Sequence, residues 1–223
     1  MDHHGRVELI EQFGDERTIV NAARVSFGVH KEALDEKDIK LLHYLHTHHH
    51  TSPFRHVMFR FKIKAPEFVM RQWYKHVVGI ETTSSSPTKD HAWNEISGRY
   101  VPVKDFYVPS TWRKQSQSSK QGSEGTIDQA QALHTMYRKC MDQVMETYQA
   151  LLSQGVAKEQ ARILLPINQY TEVIWTCSAQ ALYHFIQLRD APHAQEEIKR
   201  YAQEMKRILI QQCPTLGKIW FPN

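Results

Sequence analysis

Residues 56–64 read HVMFRFKIK. Val57, Phe59, Phe61 and Ile63 fall on one side of an extended chain, and Arg60, Lys62 and Lys64 on the other. A strand with one apolar and one charged face belongs to an antiparallel sheet that packs on one side and meets water on the other. Ala65-Pro66 ends it, and Pro66 suits the first turn of a helix predicted over 66–78. Working outward, a second strand is predicted over 168–177 and a short one near Phe106. Helices are predicted over 16–27, 36–48, 127–153, 178–189 and 194–212. In the second of these Ile39, Leu42 and Leu45 recur at helical spacing behind Asp35 as N-cap, and Gly155 is placed to stop the helix over 127–153. Polar stretches at 82–91 and 113–125 read as loops, the latter as a mobile one. Strands and helices do not alternate as βαβ units. The fold class is therefore α+β, an antiparallel sheet flanked by helices, in a single domain over 1–223.

The chain has 223 residues, 41% apolar and 23% charged, which suits a globular protein able to bury a core without disulfides or metal. Its three cysteines, Cys140, Cys177 and Cys213, form no CxxC pair, which points to a reducing compartment. The first thirty residues hold no apolar h-region, and no long apolar window follows, so a cytoplasmic protein is expected. A net charge of +4 fits small anionic ligands better than a nucleic-acid surface. There is no GxGxxG after a strand, no GxxxxGK[ST], no HExxH and no GxSxG, which excludes several nucleotide-binding and hydrolytic classes.

Several clusters carry chemistry. On a helix over 66–78, Gln72, Lys75 and His76 share a face. The segment 94–100, NEISGRY, packs Glu95, Ile96, Ser97, Gly98 and Arg99 together. Gly98 lets backbone approach closely, and Arg99 can fork onto a phosphate. In the helix over 178–189, Arg189 falls on the apolar face of Ala181, Leu182, Phe185 and Ile186. A charge placed there needs an anionic or carbonyl partner. Gln180 and His184 lie four residues apart on its flank. Arg162 is a further arginine in apolar sequence. Five of the fourteen histidines lie between His43 and His50. They read as a helix end whose imidazoles meet terminal carbonyls, and no metal site is assigned.

Taken together, AARVSF (22–27), SPFRHVMFRF (52–61), APEFVMRQWYKH (65–76), NEISGRY (94–100), ARILLPINQYT (161–171) and LRDAPHAQEEI (188–198) resemble the flavin-dependent thymidylate synthases, the ThyX family. The resemblance covers most of the chain. It implies reductive methylation of dUMP to dTMP, with methylenetetrahydrofolate as carbon donor and NADPH as reductant through bound FAD. It also implies a homotetramer with interfacial active sites. By matched position, Gln72, Lys75, Glu95, Ile96, Ser97, Gly98, Arg99, Arg162 and Arg189 are the implied dUMP contacts, with Arg189 catalytic. Ser52, Lys75, His76, Val77, Glu95, Ser178, Gln180 and His184 are the implied FAD contacts. Ser26, His50 and His193 are implied to line the flavin region. Ser97 is read as a ligand contact, since no base is paired with it. The chain departs from the family where Lys75-His76-Val77 replaces Arg-His-Arg, and where Ser178, Gln180 and His184 replace Asn, Arg and Asn. These changes bear on the flavin diphosphate, and weaker flavin retention is expected. The interval 79–93 is longer than the family's, and the added loop is expected to flank the active site. Two competing functions are a flavoprotein that oxidises NADPH without methyl transfer, and a basic nucleic-acid-binding module on the same fold.

Overall fold

The computed structural model describes residues 4–76, 91–118, 120 and 122–222. Its strands are β1 (Arg6–Phe13), β2 (Met58–Pro66), β3 (His91–Glu95), β4 (Arg113–Gln115), β5 (Ser123–Thr126) and β6 (Tyr170–Ser178). Its helices are α1 (Glu16–Arg24), α2 (Glu36–Thr47), α3 (Glu67–Trp73), α4 (Gln131–Ser153), α5 (Lys158–Ala161), α6 (Ala179–Arg189), α7 (Glu196–Gln212) and α8 (Pro214–Trp220). The predicted α+β class is what forms. An antiparallel sheet of order β1-β2-β6-β3 packs one face against helices.

The alternation at 56–64 does what it predicts. Phe59, Phe61 and Ile63 are fully buried and face Cys177, Trp175 and Val173 across the ladder. Burying each such side chain contributes about 1.5–3 kcal/mol. The outer face carries cross-strand ion pairs, Lys62 with Glu172 at 3.0 Å and Arg60 with Glu11. Trp73 ties three helices to this sheet. Its ring stacks on Phe185 of α6 at 4.5 Å and meets Trp175 of β6 and Tyr201 of α7 edge-on. That cluster sets where the end of α3 and the start of the next turn lie.

Several expectations need correction. The helix predicted over 66–78 is only α3. Pro66, at φ −63° and ψ 147°, closes β2 and caps α3 without entering its first turn. The helix ends at Trp73 because the residues beyond it, Tyr74 and His76 among them, are weak helix formers. Lys75 and His76 therefore lie in a turn after α3, not on its face. The strand near Phe106 shrinks to one bridge with Gln169. Residues 113–125 are not a structureless loop; β4 and β5 pair as a hairpin. Its exposed strands have no apolar alternation, so periodicity could not reveal it. The helix over 127–153 starts at Gln131, after a turn in which Gln129 adopts φ 53°. Gly155, at φ 83°, does follow its end. β1 was not predicted, because Val7 and Leu9 alternate with charged residues only until a bulge between Leu9 and Glu11 breaks the period. α8 was missed too, although Pro214 stands at its first turn. Val77 and nearly all of the loop over 79–93 lie outside the described residues, except that 91–93 begin β3.

Candidate functional site

The candidate residues gather in two places. The first is an open cleft of about 640 Å³ beside the end of β3, whose walls include Glu95, Ile96, Ser97, Gly98, Arg99 and Arg162. β3 delivers Glu95, whose Oε1 accepts the Thr171 hydroxyl at 2.6 Å. The Ile96 amide then donates to the Glu172 carbonyl at 2.9 Å, which ends the ladder. The chain turns immediately: the amides of Tyr100 and Val101 both donate to the Ser97 carbonyl. Ser97 Oγ accepts the Arg99 amide at 3.3 Å and Arg99 Nε at 3.2 Å, so the serine orients the arginine. Gly98 lies beside the Arg162 side chain, which a methyl group there would meet at 3.5 Å, an ordinary van der Waals contact.

Charge in this cleft is unevenly committed. Arg6 pairs with Glu172, and Lys64 with Asp105 at 2.8 Å. Among the described residues no ion pair engages Arg99 or Arg162, and both are exposed. Two unpaired guanidiniums on one cleft suit a phosphate, which each can grip with two N–H groups. Burial, then the nearby Glu95, raises the pKa of Glu67 on the cleft wall. No local pattern in the sequence singles out Arg6, Lys64, Glu67 or Thr171: strand register brings three of them here, and Glu67 arrives at the start of α3, its amide donating to the Gln169 carbonyl at 2.9 Å.

The second place lies at the end of α6. Arg189 is partly buried, and burial lowers its pKa. Its Nε donates to His76 Nε2 at 3.0 Å, and Nη2 donates to the Gln72 carbonyl at 3.4 Å. The expected carbonyl partner is therefore present, but the nearer partner is an imidazole. Desolvation, then Arg189 and His184, pushes the His76 pKa down to about 3. The ring is thus neutral at ordinary pH and accepts at Nε2. His184 meets it edge-on at 5.9 Å. Gln180 is buried on the same helix, and Ser178 is its N-cap, accepting the Ala181 amide at 3.1 Å. Lys75 is exposed beside this cluster in sequence.

Gln72, Lys75, His76 and Arg189 do not line the cleft of Glu95–Arg99. Ser26, His50, Ser52 and His193 are exposed and belong to neither place. The histidine run follows the helix-end reading. His48 Nδ1 donates to the Tyr44 carbonyl at 3.0 Å with the two rings stacked, while His46 turns inward against Tyr183.

An α+β sheet whose edge strand leads into a cleft bearing two guanidiniums, with a third arginine held by an imidazole, is suited to a phosphorylated small molecule. Residues 8–215 match the family model described as thymidylate synthase complementing protein. The chain belongs to that family. It is 44% identical over 211 residues to a flavin-dependent thymidylate synthase of Thermus thermophilus, covering 94% of this chain and 73% of that one. It is 38% identical to that of Thermosipho africanus, covering 94% and 88%. Its fold is also that of the UMP/dUMP methylase PolB of Streptomyces cacaoi solved with 5-Br dUMP. The TM-score is 0.82 and the identity 30%, over 97% of this chain and 94% of that one.

Proposed function

We propose that this chain is a flavin-dependent thymidylate synthase. It methylates dUMP to dTMP, with methylenetetrahydrofolate as carbon donor and NADPH as the reductant of bound FAD. The observation that carries this reading is the pair of guanidiniums, Arg99 and Arg162, which no ion pair engages among the described residues, on a cleft lined by Glu95–Gly98. They take the phosphate of dUMP, while Glu95, Ile96, Ser97 and Gly98 line its seat.

Arg189 acts on the pyrimidine. A guanidinium in a partly dry setting stabilises negative charge that develops as N3 gives up its proton, which makes C5 the nucleophile. Neutral His76 aims it without competing for its charge. Gln72 and Lys75 complete the contacts to the nucleotide. No protein nucleophile is needed, and among the described residues none is poised. Cys177 and Cys213 are buried, burial pushes the Cys213 thiol up to about 12, and none of the three cysteines lines the cleft.

When bound, FAD supplies the hydride chemistry of the reaction. The chain fits it in part. Lys75 is an exposed cation for a diphosphate, Glu95 is exposed at the cleft, and His184 is partly accessible beside buried His76. Ser178 is fully buried and its hydroxyl already caps α6, so its place is to set that helix.

The separation of the two clusters supports a homotetramer in which neighbouring chains complete each site. The exposed apolar side chains around Ser26 support it too: Val25 is 74% and Phe27 81% exposed. The deciding experiment uses dUMP tritiated at C5, with methylenetetrahydrofolate, NADPH and FAD. Tritium release is expected. NADPH oxidation without release would favour the flavoprotein oxidase instead.

A further inference from the structure

Gln72 is gripped from behind by a relay that reaches the β4–β5 hairpin. Its Nε2 donates to Gln195 Oε1 at 2.6 Å, and Gln195 Nε2 donates to Glu197 Oε2 at 2.9 Å. Glu197 is anchored in turn. Arg113 Nη2 reaches both its oxygens at 2.7 and 2.8 Å, and the Tyr107 hydroxyl donates to Oε1 at 3.2 Å. Arg113 Nε donates to Ser123 Oγ across the hairpin at 2.8 Å. The Gln72 carbonyl receives Arg189 Nη2, so the same residue touches the relay on one side and the proposed catalytic arginine on the other.

The relay has a direction. Burial would raise the Glu197 pKa, but Arg113 and Gln195 outweigh it and hold the carboxyl below its ordinary range. An ionised carboxylate only accepts. Gln195 must therefore turn its NH2 toward Glu197 and its oxygen toward Gln72. Gln72 must then turn its NH2 toward Gln195, and its Oε1 is the end that the relay does not engage. A free glutamine amide could present either end; this one is set by a carboxylate two links away.

We infer that Gln195 and Glu197 are positioning residues that fix the amide sense of Gln72, so that it meets the nucleotide as a hydrogen-bond acceptor. The inference rests on the reading of Gln72 as a dUMP contact. The ligand group it takes is a donor that keeps its hydrogen through the reaction; since N3 gives up its proton, the 3′ hydroxyl of dUMP is that group.

The test is a double-mutant cycle on full-length enzyme, read as dUMP KM and kcat in the tritium-release assay. Gln195 is exposed and its side chain caps nothing, so Gln195→Ala leaves the fold intact, which its melting temperature checks. Loss of a contact made equally in ground and transition states raises KM and spares kcat. Gln195→Ala should raise dUMP KM about five- to tenfold, with kcat within about twofold and the methylenetetrahydrofolate KM unchanged. In a Gln72→Ala background, the same substitution should add less than about twofold, because the residues act as one unit. Glu197→Gln should raise dUMP KM in the same way, since a neutral amide no longer imposes the direction. An unchanged dUMP KM for Gln195→Ala, or effects that multiply fully with Gln72→Ala, would overturn the relay. A Gln72→Ala enzyme with wild-type dUMP KM would overturn it through the contact it serves. Wild-type protein that releases no tritium would instead sink the functional reading on which the relay depends.

Discussion

Arg189 and His76 form a pair in which neither group behaves as it would in water. The arginine is partly desolvated, and the imidazole beside it is neutral at ordinary pH. Arg189→Ala should abolish tritium release from dUMP while the protein keeps its melting temperature; surviving turnover would show that the charge is not needed there. The imidazole predicts a pH effect of definite sign. Its pKa falls from 6.5 to about 3 on folding. As pH drops below 6.5 the unfolded chain takes up a proton that the native state refuses. The contribution of His76 is therefore complete above pH 6.5 and is lost as pH falls toward 3, at about 1.4 kcal/mol per pH unit. Denaturant unfolding of wild type minus His76→Asn should show that slope below pH 6.5 and none above it. A flat difference would mean the ring stays ionisable in the folded chain. The helical wheel made it legible that Arg189 needs a partner, because an arginine on an apolar face is a local fact. The identity of the partner was not legible, since His76 is 113 residues away in sequence.

α3 is short, and its position depends on Trp73. The ring fills the space between β6, α6 and α7. Trp73→Ala should cost about 3–5 kcal/mol in urea unfolding, the range for deleting a buried aromatic ring. It should also weaken dUMP binding, because Gln72 and His76 flank it. A change under about 1 kcal/mol would show that the site is held by something else. α2 offers a second test. Asp35 caps it in a box with Asp38, and Asp38, although fully buried, holds Arg24 Nη2 at 2.6 Å. Arg24→Ala leaves that carboxylate with weaker partners and should destabilise by about 2–3 kcal/mol, discounted because the arginine is itself partly exposed. The cap was readable from Asp35 standing before an apolar period. The β4–β5 hairpin was not, because its strands are polar on both faces and are held by Arg113 reaching Glu197.

At the scale of the whole molecule, the proposed tetramer should appear in light scattering at about four times the 26.1 kDa chain mass. Phe27→Asp places a charge on an apolar surface that is 81% exposed in the single chain. It should shift the mass toward smaller species and remove activity together; a monomer with full turnover would count against shared sites. Replacement of the family's cationic pattern by Lys75, Val77 and Gln180 predicts weaker FAD retention. Dialysis should strip the flavin, and a Gln180→Arg, Val77→Arg variant should hold it more tightly. By itself the sequence determined the fold class and the chemistry on offer. Period-two burial at 56–64 demands a one-sided sheet, and the arginines, amides and imidazoles are present whatever the fold does. Tertiary structure alone decided which of them meet. It separated Arg99 and Arg162 from Arg189, gave Arg189 a neutral imidazole, and ran a carboxylate-led relay to Gln72. Those pairings follow from strand register and helix packing across more than a hundred residues, which no local pattern in the chain encodes.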